Sequence, residues 1–263
     1  MFQAVLDGYD AVYDALARSA TFNRIWRTHA YRGEFPAEFA HIGFLTLDEG
    51  RRMLDALHVS EGGTLVDVAC GAGGPGLWAA QQSGAALVGV DPSAAGVAAA
   101  RQRAEDVGLE ERSRFDQGTF EQTGLPDRFA DAAMTIEAFQ YAPAKRAALG
   151  ELFRVLRPGR RLALVCFEVD PAKAEGLPVL GVDPVPDYAP LLASAGFTIE
   201  TYEETPGWEE RVYGAFGAIV DAGDALREEM GEQAAAAAIA EAMLTVAMKP
   251  YPRRILAVAR RPA

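Results

Sequence analysis

The chain has 263 residues, half of them hydrophobic, with a net charge of −12 and two cysteines. That is enough for one large α/β domain with an added cap, and too apolar for wholesale disorder. So acidic a chain, with no lysine- or arginine-rich run, is a poor partner for nucleic-acid phosphates or anionic lipid.

Residues 1–60 read as helices over about 3–19, 22–30 and 47–57, with a turn at Arg-Gly-Glu-Phe-Pro between the last two. The start of the chain carries acids within an amphipathic pattern, unlike a signal peptide. No apolar run approaches the roughly 20 residues of a membrane span, so a cytoplasmic location is expected. From residue 64 short β-branched runs alternate with helical segments. Thr64–Cys70 and 86–91 are the first two strands, and an alanine-rich helix covers 93–107. Two more strands lie at 113–120 and 129–136, then a helix ends near 156. A Pro-Gly turn leads into a fifth strand ending near 169. Such alternation predicts a parallel sheet with helices on both faces. A proline-rich loop or lid follows over 170–187, then a helix at 187–195, a strand at 197–204, helices at 208–221 and 223–247, and a last strand at 253–260. We divide the chain into an N-terminal helical cap, 1–60, and a core, 61–263, with a cap or lid insertion at about 168–250. Cys70 and Cys166 both fall in strand-like contexts and are expected as buried thiols.

Gly71-Ala72-Gly73-Gly74-Pro75-Gly76 fits the glycine pattern of a dinucleotide loop, which alone is a weak signal. Its flank decides. Asp67 sits four residues before the first glycine, where a carboxylate would repel a pyrophosphate but favour an ammonium group. A nicotinamide-dependent oxidoreductase is disfavoured on that ground. Asp91, ending the second strand 20 residues after Gly71, suits the two hydroxyls of a ribose. The ligand implied is a nucleoside with a cationic amino-acid tail and no phosphate.

The segments LVDVACGAGGPG, LVGVDPS, FDQGTFEQTGLPDRFADAAMTIEAFQYA and LFRVLRPGRRLALV, in this order over about residues 60–168, resemble the class I S-adenosylmethionine (SAM)-dependent methyltransferases. The resemblance implies a Rossmann-like seven-stranded sheet, mostly parallel with the last strand antiparallel. It implies SAM as cofactor, S-adenosylhomocysteine as product, and a small-molecule acceptor of the kind met in natural-product biosynthesis. By the same resemblance Asp67, Ala69, Cys70, Gly71 and Gly73 hold the methionine portion, Asp91 the ribose, and Pro92 flanks the adenine. Thr119 and Phe120 stand where the family usually has an acid for the adenine amino group. Phe44 and Thr46 match a segment that touches the cofactor in small-molecule members.

The acceptor leaves a fainter trace. Residues after the fourth strand often face the reaction centre, and no Asn/Asp-Pro-Pro-aromatic run of adenine or glutamine methylases is present. Glu137, Gln140 and Tyr141 are candidate pocket residues, with Glu137 near the cofactor as an electrostatic group or base. His41 and His29 are the other candidate bases, while His58 reads as a helix end. Trp26, Tyr31, Trp208 and Tyr213, with Phe35, Phe39 and Phe216, are candidates for an apolar wall. No His/Cys/Asp/Glu set has metal-ligand spacing. The expected activity is methyl transfer to O or N of a small molecule. A SAM-retaining cyclase and a non-enzymatic SAM-binding protein stay open, as does a homodimer.

Overall fold

The computed structural model describes residues 2–16, 18–176, 181–249 and 252–263. Residue 17 of the first expected helix and residues 177–180 of the expected loop lie outside the described residues. The chain opens with α1 (Phe2–Leu16), α2 (Ala20–Ile25), which runs on as a π-helical turn over Trp26–Ala30, and α3 (Leu47–Leu57). Next come β1 (Thr64–Val68), α4 (Gly74–Ser83), β2 (Ala86–Asp91), α5 (Ala94–Asp106), β3 (Ser113–Gln117), β4 (Ala130–Ile136), α6 (Lys145–Val155) and β5 (Leu156–Val169). The last part holds α7 (Ala189–Ser194), β6 (Thr198–Glu204), α8 (Trp208–Asp221), α9 (Gly223–Met230), α10 (Glu232–Ala247) and β7 (Pro252–Arg260).

The strands form one sheet in the order β3-β2-β1-β4-β5-β7-β6. The first five run parallel and β7 is antiparallel to both its neighbours. The central strands are buried along nearly their whole length, as parallel strands covered on both faces must be. Period-two alternation splits their side chains between two cores. Leu65, Leu87, Met134 and Val165 face α3, α4, α5 and the cap. Val66, Val88, Ala133 and Cys166 face α6 and α7. Both cysteines are buried and free.

Two expectations are corrected. The Pro-Gly turn before the fifth strand lies inside β5: Ala130 pairs with Leu156 but Ala132 with Arg161, so residues 157–160 bulge out of register. The helix expected at 223–247 is two, broken at Gly231, whose φ of 85° leaves the helical region.

The helices outside the sheet pack on one another across the chain's two ends. α1 lies against α10 and α5, α8 against α10 and the π-helical turn. Glu229 of α9 ties them at the entry to α2, where it accepts from Ser19 Oγ (2.7 Å), Thr21 N–H (2.9 Å) and Thr21 Oγ1 (2.8 Å). Ser19 is itself the N-cap, accepting from Phe22 N–H at 3.0 Å.

Candidate active site

The site forms where β1 and β2 end. Beyond Val68 the chain turns back sharply: Ala69 has φ 61° and its N–H, with that of Cys70, bonds the Val90 carbonyl at 2.7 and 3.2 Å. Gly71 (φ 50°) and Gly73 (φ 76°) continue the left-handed path into α4, whose first turn holds Pro75. Gly74 is needed for close approach, since a Cβ there would fall 2.5 Å from the Phe39 carbonyl oxygen. Arg103 of α5 braces the same loop by donating to the carbonyls of Ala72 (2.9 Å) and Ala40 (2.6 Å).

Asp91 joins the two strand ends. One carboxylate oxygen accepts from Gly71 N–H (2.7 Å) and the other from Ser93 N–H (2.8 Å), leaving each a lone pair for a further donor. Burial lifts its pKa to about 6 against the pull of these N–H groups. Asp67 is buried, with no hydrogen-bond or ion-pair partner among the described residues. Burial, reinforced by Asp91, pushes its carboxyl up to about 8. A buried acid without a cation is costly unless something positive arrives.

Two adjoining cavities open from this loop. The larger, about 690 Å³, is lined by Asp67, Ala69, Cys70, Gly71, Arg103 and His41 among others. The smaller, about 160 Å³, takes in Asp91, Pro92 and Phe120 on one side, and Trp26, Phe44 and Phe216 on another. Tyr13 of α1 lines both and lies over the loop, where a Cβ on Gly71 would meet its hydroxyl. The residues present fit the expected cofactor. The uncompensated Asp67 suits an ammonium group, the two spare lone pairs of Asp91 suit ribose hydroxyls, and Pro92 with Phe120 offers an apolar edge to a base.

Of the remaining expected residues, Tyr31 lines the larger cavity and Trp26 both, with its indole N–H on the Gly43 carbonyl at 3.0 Å. Gln140 and Tyr141 line the smaller one. Several expected residues line neither cavity. Gly73 packs under the loop near Ala100 and Phe115. Thr119 closes a turn with Gln122, and Thr46 caps α3, its side chain accepting from Glu49 N–H at 3.2 Å. Trp208 donates to Glu204 (2.9 Å) and meets Phe167 edge to face, while Tyr213 lies under Lys249. His29 packs against Gly214.

The two other candidate bases differ in setting. His41 Nδ1 accepts from Gly43 N–H at 3.1 Å, its buried Nε2 has no partner, and the rings of Tyr31 and Phe35 flank it. Burial, then Arg103, lowers its pKa to about 3, so the imidazole is neutral. Glu137 has φ 55° and both carboxylate oxygens occupied. Oε1 meets Arg254 at 2.5–2.6 Å and Oε2 accepts from Phe44 N–H at 2.5 Å. Arg254 in turn reaches Glu49 (3.1 Å) and Thr205 (2.7 Å), and Glu49 pairs with Arg211 at 2.7 Å.

Sequence reasoning missed Tyr9 and Tyr13 of α1, Arg103, Arg254 and the α10 residues Glu241 and Thr245. Arg254 is one of two adjacent arginines that open the apolar β7 run Ile255–Ala259, and nothing in the sequence marks it as the buried one of the pair. The cap residues had no signal either, since only packing brings them to the loop. Among the described residues no group of three or more His, Cys, Asp or Glu is placed to hold a metal ion, and no helix is long and apolar enough to cross a membrane.

A doubly wound sheet whose antiparallel β7 lies between β5 and β6, with a glycine loop and two acids at its carboxyl edge, is the class I methyltransferase fold. Residues 66–164 match the family model described as a methyltransferase domain. The chain is 29% identical over 204 residues to methyltransferase GfsG of Streptomyces halstedii, covering 72% of each chain. It is 27% identical over 217 residues to the 27-O-demethylrifamycin SV methyltransferase of Amycolatopsis mediterranei (strain S699), covering 76% of this chain and 78% of that one. The [4+2]-cyclase SpnF has the same fold, with TM-score 0.71 and 23% identity over 81% of this chain and 80% of that one. The methyltransferase domain at 66–164, the methyltransferase relatives and the fold together support a class I SAM-dependent methyltransferase, an enzyme with SAM as its cofactor.

Proposed function

We propose that the enzyme transfers a methyl group to an oxygen or nitrogen of a small, largely apolar molecule, in the biosynthesis of a natural product. The observation that carries this reading is the smaller cavity. One wall is the Asp91–Pro92–Phe120 edge and the others are cap side chains, Trp26, Phe44, Phe216 and Ile219 among them. Such a chamber is built for an enclosed apolar ligand next to the cofactor. The similar 27-O-demethylrifamycin SV methyltransferase, named for an O-demethylated acceptor, supports the same acceptor class.

The bound cofactor supplies the electrophilic methyl group. The chain's task is to hold donor and acceptor in line and keep water out. In this reading Asp67 takes the ammonium and Asp91 the ribose. Glu137 is a positioning and electrostatic group rather than the base, because Arg254 and the Phe44 N–H use both its oxygens. Through Phe44 it fixes one wall of the chamber. His41 is neutral with Nδ1 accepting from Gly43 N–H, so its proton sits on the buried Nε2 and neither nitrogen is placed to take a proton, and His29 lies apart.

The test is incubation with SAM and a panel of hydroxylated and aminated macrolactones, steroids and phenols, read by S-adenosylhomocysteine formation and product mass. A product heavier by one methyl on O or N is expected. A methyl on carbon overturns the choice of atom. A SAM-dependent rearrangement with no mass gain establishes the cyclase alternative instead. No S-adenosylhomocysteine formation across the panel counts against transfer.

A further inference from the structure

Three side chains from distant parts of the chain meet in the smaller cavity. Tyr9 comes from α1, Tyr141 from the short turn after β4, and Glu241 from α10. Tyr141 donates to Glu241 Oε1 at 2.8 Å and Tyr9 donates to the same oxygen at 3.1 Å. The two phenol rings meet edge to face, 5.8 Å between centroids. Burial, then the charge of Glu241, holds both phenols well above their usual pKa, so they stay protonated donors. The arrangement leaves Glu241 unevenly used. Oε1 takes both phenols, and no donor among the described residues reaches Oε2.

A brace between helices would spend both oxygens, as Glu229 and Glu137 do elsewhere in this molecule. The charge of the chamber is also uneven. Among the described residues its lining holds three acids, Asp91, Glu137 and Glu241, and no lysine, arginine or histidine. Asp91 is answered by two N–H groups and Glu137 by Arg254. Glu241 has only the phenols. Burial pushes its carboxyl up, the mark of an acid short of a positive partner.

We infer that Glu241, oriented by Tyr9 and Tyr141, binds the acceptor by taking a hydrogen bond at Oε2 from a hydroxyl or amine on an otherwise apolar molecule. Acceptors carrying a carboxylate or phosphate are disfavoured, because no cationic side chain among the described lining residues answers a negative charge. The recognised group need not be the one methylated. This rests on the methyltransferase reading of the same cavity, and it adds the polarity of the substrate and the residue that reads it.

The test uses one apolar cage with three head groups: adamantan-1-ol, adamantan-1-amine and adamantane-1-carboxylate. Each is titrated calorimetrically into the full chain saturated with S-adenosylhomocysteine. The alcohol and the ammonium should bind at least about tenfold tighter than the carboxylate, the scale of one hydrogen bond to a charged group. Glu241→Leu should abolish that preference and leave S-adenosylhomocysteine affinity unchanged. Tyr141→Phe, which keeps the acid but removes its shorter bond, should reduce it part way, and Glu241→Gln should lose the ammonium preference while keeping the alcohol. The latter two carry the test if the leucine variant does not fold. Equal binding of the three head groups, no binding by any, or a preference that survives Glu241→Leu overturns the inference. Failure of S-adenosylhomocysteine itself to bind would instead strike the methyltransferase reading.

Discussion

Glu137→Gln should cost stability more than it costs chemistry. The residue belongs to a cluster of two acids and two guanidinium groups, Glu137, Glu49, Arg254 and Arg211, whose side chains are 6%, 3%, 0% and 6% exposed. The cluster is neutral as it stands. Replacing one carboxylate by an amide leaves a surplus guanidinium in the core and aims an NH₂ group at either Arg254 or the Phe44 N–H, both of them donors. Breaking a buried pair from one side costs about 3–5 kcal/mol, a large share of a typical total of about 5–15 kcal/mol. At roughly 2–4 °C per kcal/mol for a chain of this size, the midpoint of thermal unfolding should fall by about 6–20 °C. Deleting both partners, as Glu137→Leu with Arg254→Leu, should cost less than the two single changes summed, because Glu49 and Arg211 still answer each other. Melting curves of the ligand-free proteins decide this. A loss below about 1 kcal/mol together with a fall in turnover of about 100-fold or more would refute it, since that is the mark of a general base and not of a brace.

Other residues give sharper readings of the cofactor end. Asp91→Ala should weaken S-adenosylhomocysteine binding by about 1–3 kcal/mol in a calorimetric titration; unchanged affinity would remove Asp91 from the ribose. Asp67 has a folded pKa of about 8, well above its value of 3.8 when free. The folded chain therefore holds the extra proton, and this group's contribution to stability falls as pH rises from about 4 to about 8. Asp67→Asn should match wild type near pH 4 and become progressively the more stable of the two up to pH 8 in urea unfolding; a gap that narrows with pH would contradict the assignment. For the same reason SAM affinity should rise with pH towards 8, as the carboxylate that meets the ammonium ionises, and Asp67→Asn should flatten that rise. Gly74→Ala sets a methyl 2.5 Å from the Phe39 carbonyl and 2.7 Å from that of Ala40, both backbone atoms. It should lose about 1–3 kcal/mol through overpacking, and wild-type stability would show that the 37–40 segment moves freely.

The sheet was legible because its strands are local signals. Thr64–Val68, 86–91 and 130–136 are each short, apolar and closed by a turn residue, and the first pairs in parallel with both of the others, as a parallel sheet requires. The two misreadings share a cause, the weight given to composition over backbone geometry. Pro158-Gly159 reads as a turn, yet β5 absorbs it as a bulge because pairing with β4 resumes at Arg161. Residues 223–247 read as one continuous helix, yet the single positive φ at Gly231 divides them.

The cofactor end of the site was legible for the same reason as the sheet. Asp67, the glycines and Asp91 lie within 25 residues, and the chemistry of each follows from where a strand ends. The acceptor end is built by residues far apart in the chain: 232 residues separate Tyr9 from Glu241, and 117 separate Glu137 from Arg254. No periodicity records such a meeting. A glutamate on α10 looks in sequence like any solvated helix charge, and only the packing of α1 on α10 turns it inward. A lysine in its place would keep the helix and the cap's shape while inverting the charge of the chamber. Acceptor choice can therefore change here by single substitutions that leave the glycine loop, and the family resemblance it carries, untouched. Two chains alike from 66 to 164 need not share a substrate, since Tyr9 and Glu241 of the chamber stand outside that span.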